Sequence, residues 1–326
     1  MVGPPLSDRG VSVAIRKHTS EVWTMPGLIG GGSLSPLLSS FLWACAIGRR
    51  TVLVAGSRGA GKTTLLAAMM LEFPLSQRIV LIEDTPEIPV ARFQGLGYDV
   101  QALRFSGSGH GAATSAKDAL KVSLRLGESA IVIGEVRGDE AQVLYESMRA
   151  GSAGSSVIGT IHGNSARGVL DRAVEDLGVS ERAFSSTDIV VVIGLIRSPD
   201  GSRFCRRVTE VAEVRDRGAG VELVSLFSTR PGSTCAEPTE HFDRTSKTVC
   251  GIASALGLSP EAVVEVVRTR AHADQLMAET ATGPGPLRDE GRVASNEVLS
   301  QCLFVPEGPE HGLKRWRAWY DERLAR

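Results

Sequence analysis

Residues 56–64 read GSRGAGKTT, which satisfies G-x-x-x-x-G-K-[ST] with Gly56, Gly61, Lys62 and Thr63. The run TVLVA at 51–55 precedes it with the β-branched and aliphatic content of a buried strand, and a helical pattern opens at Lys62. A strand before and a helix after are the context a phosphate-binding loop requires. By composition alone the pattern would arise about 0.01 times in a chain of this length, so chance does not explain it. Glycines let backbone N–H groups turn inward around phosphate oxygens, and the helix N-terminus adds partial positive charge. Gly56, Ser57, Arg58, Gly59, Ala60, Gly61, Lys62, Thr63 and Thr64 are therefore the candidate nucleotide-binding residues. Lys62 is expected to reach the β- and γ-phosphates, and the Thr63 hydroxyl to hold Mg²⁺.

Carboxylates follow at strand ends. Glu83, Asp84 and Glu87 lie in IEDTPE, and Glu135 ends AIVIG and opens GEVRGDEA. Ligands of open α/β sheets bind outside the carboxyl ends of the strands, so both groups can face a terminal phosphate. A general base or water-positioning group must come within hydrogen-bond reach of the attacking water, and either strand end could supply it. Glu83, Glu87 and Glu135 all stand as catalytic candidates, whereas Asp139 reads as a helix cap. Gly134 occupies the place before Glu135 where a Mg²⁺-ligating Asp would be expected. The metal is then left to Thr63, phosphates, water and an acid from the 83–87 group. His162 ends another strand, in GTIHGNSA with Thr160 and Asn164 beside it, and is read as a phosphate sensor or subunit contact. Arg92, Arg104, Arg125 and Arg137 lie near these motifs. Phosphoryl transfer needs positive charge, often from a neighbouring subunit, and Arg125 and Arg137, which bracket the Glu135 strand, are the preferred candidates.

The elements that must position these groups alternate along the chain. Strand patterns cover 51–55, 78–83, 130–134, 155–161 and 188–195, and helical patterns cover 62–73, 115–126, 139–150 and 165–177. This alternation implies a mostly parallel sheet covered on both faces, an α/β fold. Earlier, 11–15 reads as a short strand, 26–35 as a glycine-rich loop and 34–47 as an apolar helix. Beyond 196 the pattern predicts a short hairpin at 209–214 and 221–227, then a Pro/Gly/Ser/Thr linker at 228–240. Helices are expected at 246–256 and 260–280, the second capped by Ser259 with Pro260 in its first turn. The final segment places Leu313, Trp316, Tyr320 and Leu324 among Lys314, Arg315, Arg317, Arg323 and Arg326. It is a basic amphipathic helix whose apolar stripe packs on its own domain or, in the less favoured reading, on a membrane or partner.

Composition narrows the class. The 326 residues are 42% hydrophobic and 22% charged, values of an ordinary globular protein of about two domains. A net charge of −1 gives no global attraction to nucleic acid. No basic, aromatic-bearing groove is evident, so a nucleic-acid motor is disfavoured. The five cysteines include no C-x-x-C pair and fit a reducing cytosol. The first ten residues carry no apolar run of a signal peptide, and the 14-residue stretch at 34–47 is too short to span a bilayer.

Taken in order, these motifs resemble the secretion-superfamily ATPases of type II and type IV secretion and type IV pilus assembly. GSRGAGKTT is similar to their Walker A motif, RIVLIEDTPEI to their Asp box, LRLGESAIVIGEVRGDEA to their atypical Walker B with its glycine before the glutamate, and AGSAGSSVIGTIHGNSA to their His box. IEDTPEI and GTIHG are most like the archaeal branch, and SVAIRKHTSEVWTMPGLI resembles the junction before the ATPase core. The resemblance spans roughly residues 8 to 280. It implies a RecA-like P-loop NTPase core at 31–230, a remnant of an N-terminal domain and linker at 1–30, and a small C-terminal helical region at 231–326. It also implies ATP and Mg²⁺, a hexameric ring with ATP at subunit boundaries, and docking at the cytoplasmic face on a polytopic inner-membrane platform protein. Hydrolysis would move pilin or secretion machinery. About ten residues precede VSVAIRK, where the family carries a sizeable domain, so the expectation is that the chain is truncated, takes that domain from a separate chain or works without it. The alternative reading is a truncated, non-hydrolysing ATP-binding paralogue that acts as a scaffold subunit.

Overall fold

The computed structural model describes residues 8, 10–13, 21–105, 115–123, 125–127, 129–138, 140–149, 156–197, 201–218, 220–230, 233, 235–280 and 289–324. Among the described residues nine strands form one sheet: β1 Thr51–Gly56, β2 Ile79–Glu83, β3 Val100–Arg104, β4 Ala130–Val136, β5 Val157–His162, β6 Ile189–Arg197, β7 Phe204–Asp216, β8 Val221–Ser228 and β9 Glu237–Pro238. Their order is β3-β2-β4-β5-β1-β6-β7-β8-β9. Strands β1 to β6 pair in parallel, and β7, β8 and β9 extend the sheet antiparallel. The parallel centre is buried on both sides, which is why β1 and β2 read as unbroken aliphatic runs.

Two apolar layers cover the sheet. One is built on α1 Met25–Gly30, α2 Pro36–Ile47, α3 Lys62–Met70 and α4 Val90–Gly95, and it runs on into the C-terminal helices. The other is built on α5 Ala116–Ser123, α6 Glu140–Arg149, α7 Ala166–Asp171 with its π-helical continuation Arg172–Asp176, and α8 Glu181–Phe184. The described residues beyond the sheet form α9 Lys247–Leu256, α10 Pro260–Thr280, α11 Asp289–Leu303 and α12 Pro309–Leu324. Ser259 Oγ accepts from Ala262 N, the expected cap of α10. The stripe of α12 faces its own neighbours: Trp316 and Tyr320 are buried, Trp316 Nε1 donates to Ser295 Oγ, and the Tyr320 and Thr280 hydroxyls bond at 2.6 Å.

Between the end of α3 and α10 lies a buried charge cluster. Arg270 meets Glu72 at 2.9 Å, lies 3.8 Å from Asp274, and stacks over Trp43 with 4.3 Å to the ring centroid. Ser39 and Ser40 of α2 donate to Asp274, and Asn296 of α11 donates to the Leu71 carbonyl. Burial raises the Asp274 carboxyl and pushes Glu72 up to about 7, with Arg270 opposing both shifts.

Several expectations are corrected. The glycine-rich stretch at 26–35 opens with α1, because Thr24 caps Gly27 N, Pro26 suits the first turn, and Met25 and Leu28 gain burial. The stretch at 228–240 is not a free linker: β9 pairs with β8, and Ala236 sits in the core. The hairpin begins earlier than expected, since β7 starts at Phe204 and pairs with β6 as well as β8. Helices α4, α8 and α11 and strand β3 were not anticipated. Of 11–15 only 11–13 are described, with an isolated bridge at Ser12, and the expected cap Asp139 lies outside the described residues. All five cysteines are free thiols. Among the described residues no single helix is long and apolar enough to cross a membrane.

Candidate active site

Strand β1 delivers Gly56 to the carboxyl edge of the sheet, level with His162 of β5 and Ile193 of β6. A Cβ on Gly56 would lie 2.6 Å from the Ile193 carbonyl oxygen, so the backbone there admits only glycine. Gly59 and Gly61 have φ of +77° and +101°, left-handed conformations that glycine adopts without strain. Gly61 is the N-cap of α3 and offers no side-chain acceptor, which leaves the first N–H groups of that helix for an anion. Lys62 Nζ donates to the Gly56 and Ser57 carbonyls at 3.0 and 3.1 Å. Burial lowers its pKa, and the carboxylates of Glu135 and Glu87 act against that shift. Thr63 Oγ1 donates to Glu87 Oε2 at 2.9 Å, Thr64 is half-buried, and Arg58 is exposed.

Glu83 ends β2 and is buried, and its Oε1 accepts from Glu87 N and Ile88 N at 3.3 Å each. Burial raises its pKa, and those two N–H bonds oppose the rise. It thus shapes the turn that carries Glu87 toward Thr63. Its side chain also explains Gly134, since a Cβ at 134 would stand 3.0 Å from Glu83 Cγ. The space beside Glu135 is occupied from β2.

Glu135 owes its aim to an irregularity. The β4–β5 register shifts between Ile133 and Val136, as a bulge does, and Thr160 Oγ1 donates to the Gly134 carbonyl at 2.5 Å. Glu135 Oε1 lies 3.0 Å from His162 Nε2 and Oε2 lies 3.3 Å from Arg137 Nη1, while Arg137 also pairs with Asp84. The ends of β2, β4 and β5 are thereby joined beside the loop. With Lys62, Thr63 and Glu87 this gives one site with two cationic side chains, an oriented hydroxyl and the three carboxylates of Asp84, Glu87 and Glu135.

The expected arginines separate. Arg137 is in the site, and Arg104 ends β3 level with Glu83. Arg92 lies on α4. Arg125 sits exposed in the turn that precedes β4, at the opposite edge of the sheet, so this chain's fold does not bring it to the loop. One residue was missed altogether: Arg206 of β7 donates from Nε to the Gly59 carbonyl at 3.0 Å. In the sequence it is one of two adjacent arginines in a strand with no motif around it.

This fold and site define a P-loop α/β protein, and a profile described as type II/IV secretion system protein matches residues 4–292. The chain belongs to that family. It is 29% identical over 248 residues to an uncharacterized protein of Methanocaldococcus jannaschii, 75% of this chain and 87% of that one. It is 39% identical over 127 residues to the protein VirB11 of Agrobacterium fabrum, 39% of this chain and 35% of that one. Among solved structures, the VirB11 ATPase of the Brucella suis type IV secretion system in complex with sulphate matches with a TM-score of 0.45 and 26% identity, covering 58% of this chain and 54% of that chain.

Proposed function

We propose that this protein hydrolyses ATP as the motor subunit of a type II/IV secretion or type IV pilus-like assembly system. The observation that carries the reading is the convergence on one loop of Lys62, the Thr63–Glu87 hydrogen bond and the Glu135–His162 pair. Membership of the type II/IV secretion system protein family supports it. The chain works as a homo-oligomer, a hexameric ring at the cytoplasmic face of the membrane, against a polytopic platform protein.

The chemistry assigns a role to each group. Backbone N–H groups of 57–62 and the α3 N-terminus cradle the phosphates, and Lys62 moves its ammonium from the Gly56 and Ser57 carbonyls onto the β- and γ-oxygens. The Thr63 hydroxyl fits Mg²⁺, since it is already oriented by a carboxylate, and the bound ion would supply charge neutralisation of the phosphates. Glu87 holds that hydroxyl in place. Glu135 orients and deprotonates the attacking water, His162 fixes one of its oxygens, and Arg137 offsets its charge. Positive charge for the transition state beyond Lys62 and Arg137 comes from a neighbouring copy, with Arg125 the candidate.

Binding of a non-hydrolysable ATP analogue and phosphate release, measured on wild type and Lys62→Ala, test this. Wild type binds and turns over, and Lys62→Ala loses both. Binding without release by the assembled wild type would instead mark a scaffold subunit.

A further inference from the structure

Beyond the P-loop the sheet carries a feature that catalysis has not used. Strand β6 pairs with β1 as far as Gly56–Ile193 and then runs on through Gly194 to Arg197. There it pairs only with β7, with Leu195 opposite Arg206 and Arg197 opposite Phe204. Alternation places Leu195, Arg197, Phe204 and Arg206 on one face of this two-stranded ribbon. Arg206 fastens that face to the loop: its Nε bonds the Gly59 carbonyl, and its Cδ would stand 3.2 Å from a Cβ on Gly61. Phe204 is 62% exposed and Leu195 38% exposed, so this face of the ribbon presents an open apolar surface next to the loop. The Arg197 guanidinium covers the Phe204 ring at 5.7 Å.

Strand order fixes which part of a nucleotide can meet this face. The hydrolytic groups Glu87, Glu135 and His162 come from the β2, β4 and β5 side of β1, and β6 and β7 lie on the other side. A γ-phosphate turned toward Glu135 sends the α-phosphate and nucleoside toward the ribbon. Phe204 stands two residues from Arg206, or about 7 Å along the strand, a span that a nucleoside crosses on leaving the loop.

We propose that the β6–β7 ribbon is the nucleoside platform of the site: the base of ATP stacks on Phe204, backed by Arg197, and Arg206 locks the platform to the P-loop. The proposal rests on the ATPase reading and assigns it a further ligand subsite. Stacking accepts any π-face, so the platform takes purine triphosphates with little choice between adenine and guanine.

The test separates base from phosphate. Affinities for a non-hydrolysable ATP analogue and for inorganic tripolyphosphate are measured with Mg²⁺ on the full chain as wild type, Phe204→Ala, Phe204→Trp and Lys62→Ala, with oligomeric mass followed in parallel. Phe204 is exposed, so its truncation leaves the fold intact. Phe204→Ala weakens the analogue about tenfold and leaves tripolyphosphate unchanged, a loss of the size expected for one stacked base. Phe204→Trp keeps the affinity and adds a fluorescence signal quenched by the analogue but not by tripolyphosphate. Wild-type analogue affinity in Phe204→Ala, equal loss of both ligands, or a change in oligomeric mass alone would overturn the platform. Lys62→Ala loses both ligands, and if it kept them the phosphate site would fall instead.

Discussion

Thr63 and His162 are served by different carboxylates, and the difference is measurable. Glu87 bonds the Thr63 hydroxyl, whereas Glu135 bonds His162 and Arg137. Glu87→Gln is expected to raise the Mg²⁺ concentration needed for half-maximal turnover while maximal turnover changes less. A fall in turnover at saturating Mg²⁺, with no change in Mg²⁺ demand, would make Glu87 the base. Gly134 gives a second prediction. Asp at 134 would put its Cβ 3.0 Å from Glu83 Cγ and add a carboxylate beside one already raised by burial. Gly134→Asp therefore destabilises the fold by about 1–3 kcal/mol, read as a lower urea midpoint, and Glu83→Ala in the same chain recovers part of the loss. A midpoint equal to wild type would show that the space is open.

Helix α3 is held at both ends, by the P-loop at Lys62 and by the buried cluster just past Met70. Arg270 serves two carboxylates, so Arg270→Met leaves both buried without a countercharge and costs about 3–5 kcal/mol. Glu72 sets a pH dependence. Its carboxyl is pushed up to about 7 in the folded chain against an ordinary 4.5, with burial the leading cause. Between those values the folded state binds a proton that the unfolded state releases, so this group's contribution falls as pH rises through that window. Urea midpoints taken between pH 5 and 7.5 should decline, and Glu72→Gln should flatten the decline. An unchanged slope would remove Glu72 as its source. At this scale the sequence was legible where local pattern and burial agreed. The aliphatic runs of β1, β2 and β6 and the Ser259–Pro260 start of α10 could be read directly. Helix α1 was hidden because glycine argues for a loop, and its cap and buried Met25 and Leu28 are tertiary facts. Strand β3 was hidden by its mixed exposure, and α4 by its brevity. At the site, residue types marked Lys62, Thr63, Glu135 and His162. Only folding could bring Arg206 to Gly59, set Glu83 against Gly134, or leave Arg125 at the far edge.

In the proposed reading one chain supplies the phosphate loop, the hydroxyl that would hold the metal and the base, but its Arg137 is already paired with Asp84 and Glu135. Transition-state charge from a second copy would make turnover depend on assembly. Specific activity is expected to rise with protein concentration in step with oligomeric mass, and Arg125→Ala should lower turnover more than ATP affinity. Activity that is high in the monomer and flat with concentration would contradict the shared site. The most direct test of hydrolysis at this loop is Glu135→Gln, with ATP binding and steady-state phosphate release measured on the same preparation. The site predicts wild-type binding and turnover reduced by ~10²-fold or more, as loss of a general base produces. Wild-type turnover in Glu135→Gln would contradict it.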